Sequence, residues 1–246
     1  MRRFRYLDAL TTTFVVILLV SNLVAQKIVR IGPFHLGGHT LPSFATSGAM
    51  ILFPITYIFG DVFTEIYGYA ASRRAIWLGF FGTALMYGVS ALVIALPADP
   101  EFKHQDSFVT VFGILPRILI ASLIAFWAGE FANSYTMAKM KLLTKGKMLW
   151  TRTVGSTIVG QAVDTTLVVV ITFAGTYSAH TLLQIIVVGW FLKVSYEVLA
   201  TPLTYAVVGW LKRAEGVDTF DAHTNFSPFK FGASGSTPES GTHARH

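Results

Sequence analysis

Long apolar windows separated by short polar segments set the rhythm of this chain. Several windows hold more than about 18 mostly apolar residues, enough to cross a bilayer as helices. They predict six spans, at about 7–29, 43–70, 75–96, 112–138, 153–175 and 182–211. A basic start (Arg2, Arg3, Arg5) precedes the first span, and a Gly-, Pro- and His-bearing loop at 31–42 follows it. Arg73 and Arg74 mark the turn after the second span, and an acidic connection with Asp99, Glu101 and Asp106 follows the third. The loop after the fourth span carries Lys139, Lys141, Lys145, Lys147 and Arg152, and Lys212 with Arg213 closes the sixth. The expected fold is therefore an all-α membrane protein, a six-helix transmembrane bundle over 1–213 with a polar tail over 214–246. The tail turns Gly/Ser/Thr-rich after Phe231 and is expected to be disordered there.

Charge placement supplies an orientation. The basic residues gather at the N-terminus, after the second and fourth spans and at the start of the tail, whereas the other side carries Lys27, Arg30, Lys103 and Arg117. The positive-inside rule then puts both termini in the cytoplasm. Only 13% of the 246 residues are charged and mean hydropathy is +0.57, so the net charge of +6 reads as a topology signal. A nucleic-acid surface is not expected. The absence of cysteine removes disulfides, thiolate metal sites and cysteine nucleophiles. All seven histidines fall in loops or the tail, which argues against haem or a histidine metal centre. No cofactor is expected.

Polar side chains inside the spans carry the candidate chemistry. A charge at bilayer depth costs at least about 2.5–3.5 kcal/mol on insertion scales, so such residues want a purpose. The first span holds Asn22, Gln26 and Lys27, and the second Asp61 and Glu65, whose i, i+4 spacing puts both on one helical face. Pro54 and Gly60 weaken that helix, and broken membrane helices usually line cavities. The fourth span holds Arg117 and Glu130, the fifth Gln161 and Asp164, the sixth Lys193 and Glu197. Asp164 and Lys193 each lie roughly 16 Å along their helices, near the middle of a hydrocarbon core. Snorkelling serves Lys27 as well as function does, and a structural ion pair serves Glu130. Asp164 and Lys193 could likewise fix helix register. Carboxylates outnumber cations at mid-depth, however, so pairing leaves a remainder. Tyr57, Phe53 and Tyr196 are cavity candidates by proximity to the acids. Asp61 with Asp164 could serve an intramembrane protease, but no Gly-x-Gly precedes Asp164, and an enzyme is not expected. Aspartates near threonine in the second and fifth spans hint at a three-plus-three repeat.

These residues also carry a family. Ser21-Asn22, Phe53-Pro54 through Asp61-x-x-x-Glu65-x-x-Gly68, and Arg73 resemble the queuosine precursor transporter family, once called vitamin uptake transporters. The match continues with Arg117 ahead of Ala121-Ser122, with Ser156 through Gly160-Gln161-x-x-Asp164-Thr165, and with Lys193-x-x-Tyr196-Glu197 ahead of Pro202. The resemblance implies a six-helix inner-membrane protein that imports deazaguanine precursors of a tRNA nucleoside: 7-cyano-7-deazaguanine, 7-aminomethyl-7-deazaguanine or queuine. A 7-deazaguanine presents N1–H and N2 amino donors side by side, which a carboxylate accepts together. Asp164, Glu197 or Glu65 could supply it, and Asp61 joins them among the expected binding residues. Lys193, Arg117 or Gln161 could donate to the ring carbonyl, Asn22 could meet another edge, and Tyr196 or Phe53 could stack. A substrate-capture subunit needing an energising partner is the alternative. A homodimer is compatible with so small a bundle, and Gly79-x-x-Gly82 could pack helices.

Overall fold

A computed structural model of the chain describes residues 4–25, 27–36, 39–41, 44–113, 116–222 and 224–230. Gln26 and the stretch beyond 230, where disorder is expected, lie outside them, as does the side chain of Phe53. The main elements are α1 (Leu7–Val24), α2 (Phe53–Val62), α3 (Tyr69–Ala95), α4 (Gln105–Phe112), α5 (Pro116–Leu143), α6 (Leu149–Phe173) and α7 (Ala179–Glu215). Among the described residues, five stretches are long and apolar enough to cross a membrane: α1, α3, the Gln105–Leu143 stretch that contains α5, α6 and α7.

The second expected span departs from its prediction. Residues Phe44–Ser47 form a strand and Gly48–Ile51 a 3₁₀ turn, so α2 begins only at Phe53, with Pro54 in its first turn. Proline fits there because the first-turn N–H groups have no intrahelical partner. α2 passes into a single π-helical turn, Phe63–Tyr67, and together they rise only about 20 Å, less than a bilayer core. Gly68, at φ +81°, then reverses the chain straight into α3, so the turn comes before Arg73 and not at it.

The all-helical expectation needs a second correction. Residues 28–47 hold two antiparallel strand pairs, β1 (Ile28–Ile31) with β4 (Phe44–Ser47) and β2 (Phe34–Leu36) with β3 (His39–Leu41). β-branched Ile28, Val29 and Ile31 favour the extended backbone and end α1 five residues early. Gly48 N–H donates to the Lys27 carbonyl (2.8 Å), closing the base of this hairpin on the end of α1, where an added Cβ would lie 2.6 Å from the Val24 oxygen.

Both described chain ends meet at one end of the bundle. The Glu215 carboxylate, closing α7, accepts from the backbone N–H of Tyr6 (2.7 Å) and Arg5 (3.0 Å) and from the Tyr67 hydroxyl (2.9 Å). A carboxylate at a helix start complements its dipole. Residues 217–230 then lie across the same end. Asp221 accepts from Tyr69 N–H at the start of α3 (2.9 Å), and the Asn225 and Ser227 carbonyls accept from Arg73 (3.0 and 2.9 Å). Trp77 donates to the Pro228 carbonyl (2.8 Å). Gly68 lets this strap pass, since a Cβ there would lie 2.8 Å from Thr219. Gly79 and Gly82 face Leu18, Val15 and Leu19 of α1, so their small size serves packing within the chain.

Candidate functional site

Where α5 crosses α6, Gly129 and Gly160 bring the two backbones into contact. The residues beside them, Glu130 on α5 and Gln161 on α6, thereby reach one cavity of about 300 Å³. Asp164 follows Gln161 by one turn and shares its wall. α7 contributes Lys193, α2 contributes Thr56 and Tyr57, and α1 contributes Ser21 and Asn22. Apolar Phe14, Leu18, Phe126 and Val168 complete the lining. Asn22, Gln161, Asp164 and Lys193, widely separated in sequence, are thus brought together.

The Lys193 ammonium donates to Asp164 Oδ2 at 2.6 Å, with the side chains 28% and 23% exposed. An ion pair left this open stands on the cavity wall and not in a dry core. Glu130 faces the same lysine and aspartate, so the wall carries more carboxylate than cation. Gln161 Oε1 is buried without a hydrogen-bond donor among the described residues, although its residue lines the cavity. Tyr57 presents its ring to the cavity and meets Tyr196 edge-on behind it, with centroids 6.4 Å apart and planes at 70°.

The other proposed residues lie elsewhere. Asp61 (1% exposed) and Glu197 (0%) are buried against each other between α2 and α7, outside the cavity lining. Arg117 donates to the carbonyls of Ile171 (2.5 Å) and Ala174 (2.7 Å), capping the end of α6. A cation there satisfies orphan carbonyls and complements the dipole.

Glu65 departs furthest from its expected place. It sits in the π-turn, one turn beyond Asp61, and outside the cavity lining. It is fully buried and accepts from Arg152 Nη2 (2.7 Å) and Nε (3.1 Å) and from Lys212 (2.7 Å). Lys141 lies 3.5 Å from the same carboxylate and donates to the Glu65 carbonyl and to Asp218 (2.5 Å). Burial alone would raise the Asp218 carboxyl, but the Lys141 and Lys212 ammoniums outweigh it and hold the group below its ordinary value. Glu65 is the centre of a structural ion cluster at the basic end of the bundle. Lys141, Arg152 and Lys212 counted in the sequence only as topology signals, and nothing in their spacing announces that they converge.

Glu130 and Tyr57 are the lining residues that sequence reasoning undervalued. The available signal was a shared local pattern, Gly129-Glu130 and Gly160-Gln161, a small residue followed by a polar one in two neighbouring helices.

Comparison with known proteins follows this geometry. A family model described as "Putative vitamin uptake transporter" matches residues 47–207, which include the cavity residues of α2, α5, α6 and α7. A Bacillus subtilis (strain 168) protein named "Probable queuosine precursor transporter" is 30% identical over 158 residues, 63% of this chain and 69% of that protein. No solved structure matches the chain.

Proposed function

The chain belongs to the "putative vitamin uptake transporter" family that includes queuosine precursor transporters, and on that premise we propose that it imports a 7-deazaguanine across the inner membrane for tRNA modification. The observation that carries this reading is the Lys193–Asp164 pair on the cavity wall. A guanine-type edge offers, in order, a carbonyl acceptor, an N1–H donor and an N2 amino donor. An ammonium beside a two-oxygen carboxylate is its complement, and the pair exchanges its mutual bond for three bonds to the base. Adenine offers no such run of adjacent donors. Gln161 Oε1 accepts a further N–H, and Tyr57 stacks on the base plane, an interaction worth about 1–3 kcal/mol. At about 300 Å³ the cavity is at the small end of the roughly 300–1,000 Å³ typical of ligand sites, a size for one bicyclic base and not a nucleotide.

The basic end, with Lys141, Arg152, Lys212 and both chain ends, is the cytoplasmic end in this reading. Purified protein reconstituted alone into liposomes tests the function. Saturable uptake of labelled 7-cyano-7-deazaguanine, competed by 7-aminomethyl-7-deazaguanine and not by adenine, is expected. Uptake that appears only after an energising subunit is added would instead make the chain a capture subunit. Chemical alteration of the base would make it an enzyme.

A further inference from the structure

The carboxyl groups of Asp61 and Glu197 lie within hydrogen-bonding reach of each other, in the seam between α2 and α7. Among the described residues, no N–H or O–H group donates to either oxygen of Glu197 or to Asp61 Oδ2. Two bare carboxylates so close in a buried site repel. One proton held between them converts the repulsion into a short, charge-assisted O–H···O⁻ bond. Among the described residues, no group of three or more His, Cys, Asp or Glu is arranged to hold a metal ion.

Among the described residues, the surroundings offer no cation in place of the proton. The titratable groups facing the pair are Glu65 on the turn after Asp61, Tyr57 on the turn before it, and Glu130 from α5. Asp164 and Lys193 lie across Tyr57 and Glu130, but that lysine is bonded to Asp164. Glu65 is already held by Arg152 and Lys212. The ionisable residue of α1 is Asp8, in its first turn, away from the seam.

Both helices that carry the pair depart from regular α-helical hydrogen bonding beside it. α2 gives way to the π-turn at Phe63, and α7 contains Pro202 a little over a turn beyond Glu197. Discontinuous helices at mid-depth are where transporters place coupling ions and allow movement.

We propose that the Asp61–Glu197 pair is a proton-binding site and that import of the base is coupled to proton entry through it. The proposal rests on the transport reading above. With the proton, α2 and α7 are tied beside the cavity; without it, two like charges push them apart. A base that binds one of these states better is linked to the proton by that difference.

Proteoliposomes with the membrane potential clamped at zero separate this proposal from the transport reading. Exchange of labelled 7-cyano-7-deazaguanine at equal pH reports transport, and net accumulation with the outside one pH unit more acidic reports coupling. Wild-type protein is expected to exchange and to accumulate the base about tenfold, one proton per base. Glu197→Gln and Asp61→Asn are expected to exchange and not to accumulate. Wild-type exchange that ignores the pH gradient, or follows a sodium gradient instead, overturns the coupling and leaves the transporter. Gradient-driven accumulation in both variants overturns it as well. Failure of the wild type to exchange removes the transport reading and this proposal together. Infrared difference spectra of the wild type need no variant to fold. A protonated-carboxyl band that shifts when the base binds is expected, and its absence counts against the site.

Discussion

Gly129 and Gly160 touch across the α5–α6 crossing: a Cβ on Gly129 would lie 2.7 Å from Asp164 Cβ, and one on Gly160 would lie 2.7 Å from Asn133 Cβ. The glycine pair therefore sets how far Asp164 stands from α5. Alanine at either position must separate the helices, because the obstructing atoms sit on or next to rigid backbone. Gly129→Ala and Gly160→Ala are expected to destabilise by about 1–3 kcal/mol, the usual cost of overpacking. Gly209→Ala, with nothing within 4 Å, should be neutral or slightly stabilising, since alanine is the better helix former. Thermal unfolding of the three variants in one detergent checks this, and equal midpoints would refute the crossing.

Glu65 is expected to matter for folding more than for binding. Glu65→Gln keeps the side-chain shape but removes the charge shared by Arg152, Lys212 and Lys141. Leaving buried charge without its partner costs about 3–5 kcal/mol. The midpoint should fall well below that of Arg117→Gln, whose side chain caps a helix end at an exposed position. If Glu65→Gln folds normally and loses only base binding, the carboxylate belongs to the substrate site after all.

Ligand binding should register as stability. A base present at about 100 times its dissociation constant raises the stability of the folded state by about 2.7 kcal/mol. A 7-deazaguanine should therefore shift the wild-type midpoint upward, and adenine should not. Asp164→Asn and Lys193→Met should lose most of that shift while keeping unliganded midpoints near wild type, because the pair stands open at the wall. An undiminished shift in both variants would move the base elsewhere.

Asp218 gives the basic end a pH dependence of definite sign. Its carboxyl is held below its ordinary value by Lys141 and Lys212, so its contribution is complete above the unfolded value of about 3.9. The contribution fades as pH falls through the lower folded value. Asp218→Asn should be less stable than wild type at neutral pH, and the gap should close on acidification below about pH 4. A gap that widens in acid would contradict the assignment.

The long helices were legible because hydrophobic windows average over many residues. The span expected at 153–175 is α6 at Leu149–Phe173, and that at 182–211 is α7 at Ala179–Glu215. The second span misled because Phe44, Ala45, Ala49 and Ile51 are as apolar as helix residues, and hydropathy does not distinguish a strand or a 3₁₀ turn from an α-helix. Asp164 and Lys193 were recognised by depth, and depth was the right clue to their shared wall. Glu65 was read for its spacing from Asp61, while its partners Arg152, Lys212 and Lys141 come from later in the chain and cannot be read from that spacing. Arg117 was read for its charge, while its role at the end of α6 depends on where two helices stop.

The strap at 217–230 fixes an order of events during synthesis. Tyr69 N–H, Arg73 and Trp77 belong to α3, yet their partners, Asp221, Asn225, Ser227 and Pro228, are translated 151 to 154 residues later, after α7. Lys212 and Asp218 reach the Glu65 cluster equally late. A nascent chain can thus insert α1 to α7 one after another while this basic end stays open, and that end is fastened only after α7 and the strap have been made. A stop codon soon after α7 would release a chain with α1 to α7 made and this closing seam missing, a form that quality-control proteases would meet already unfastened.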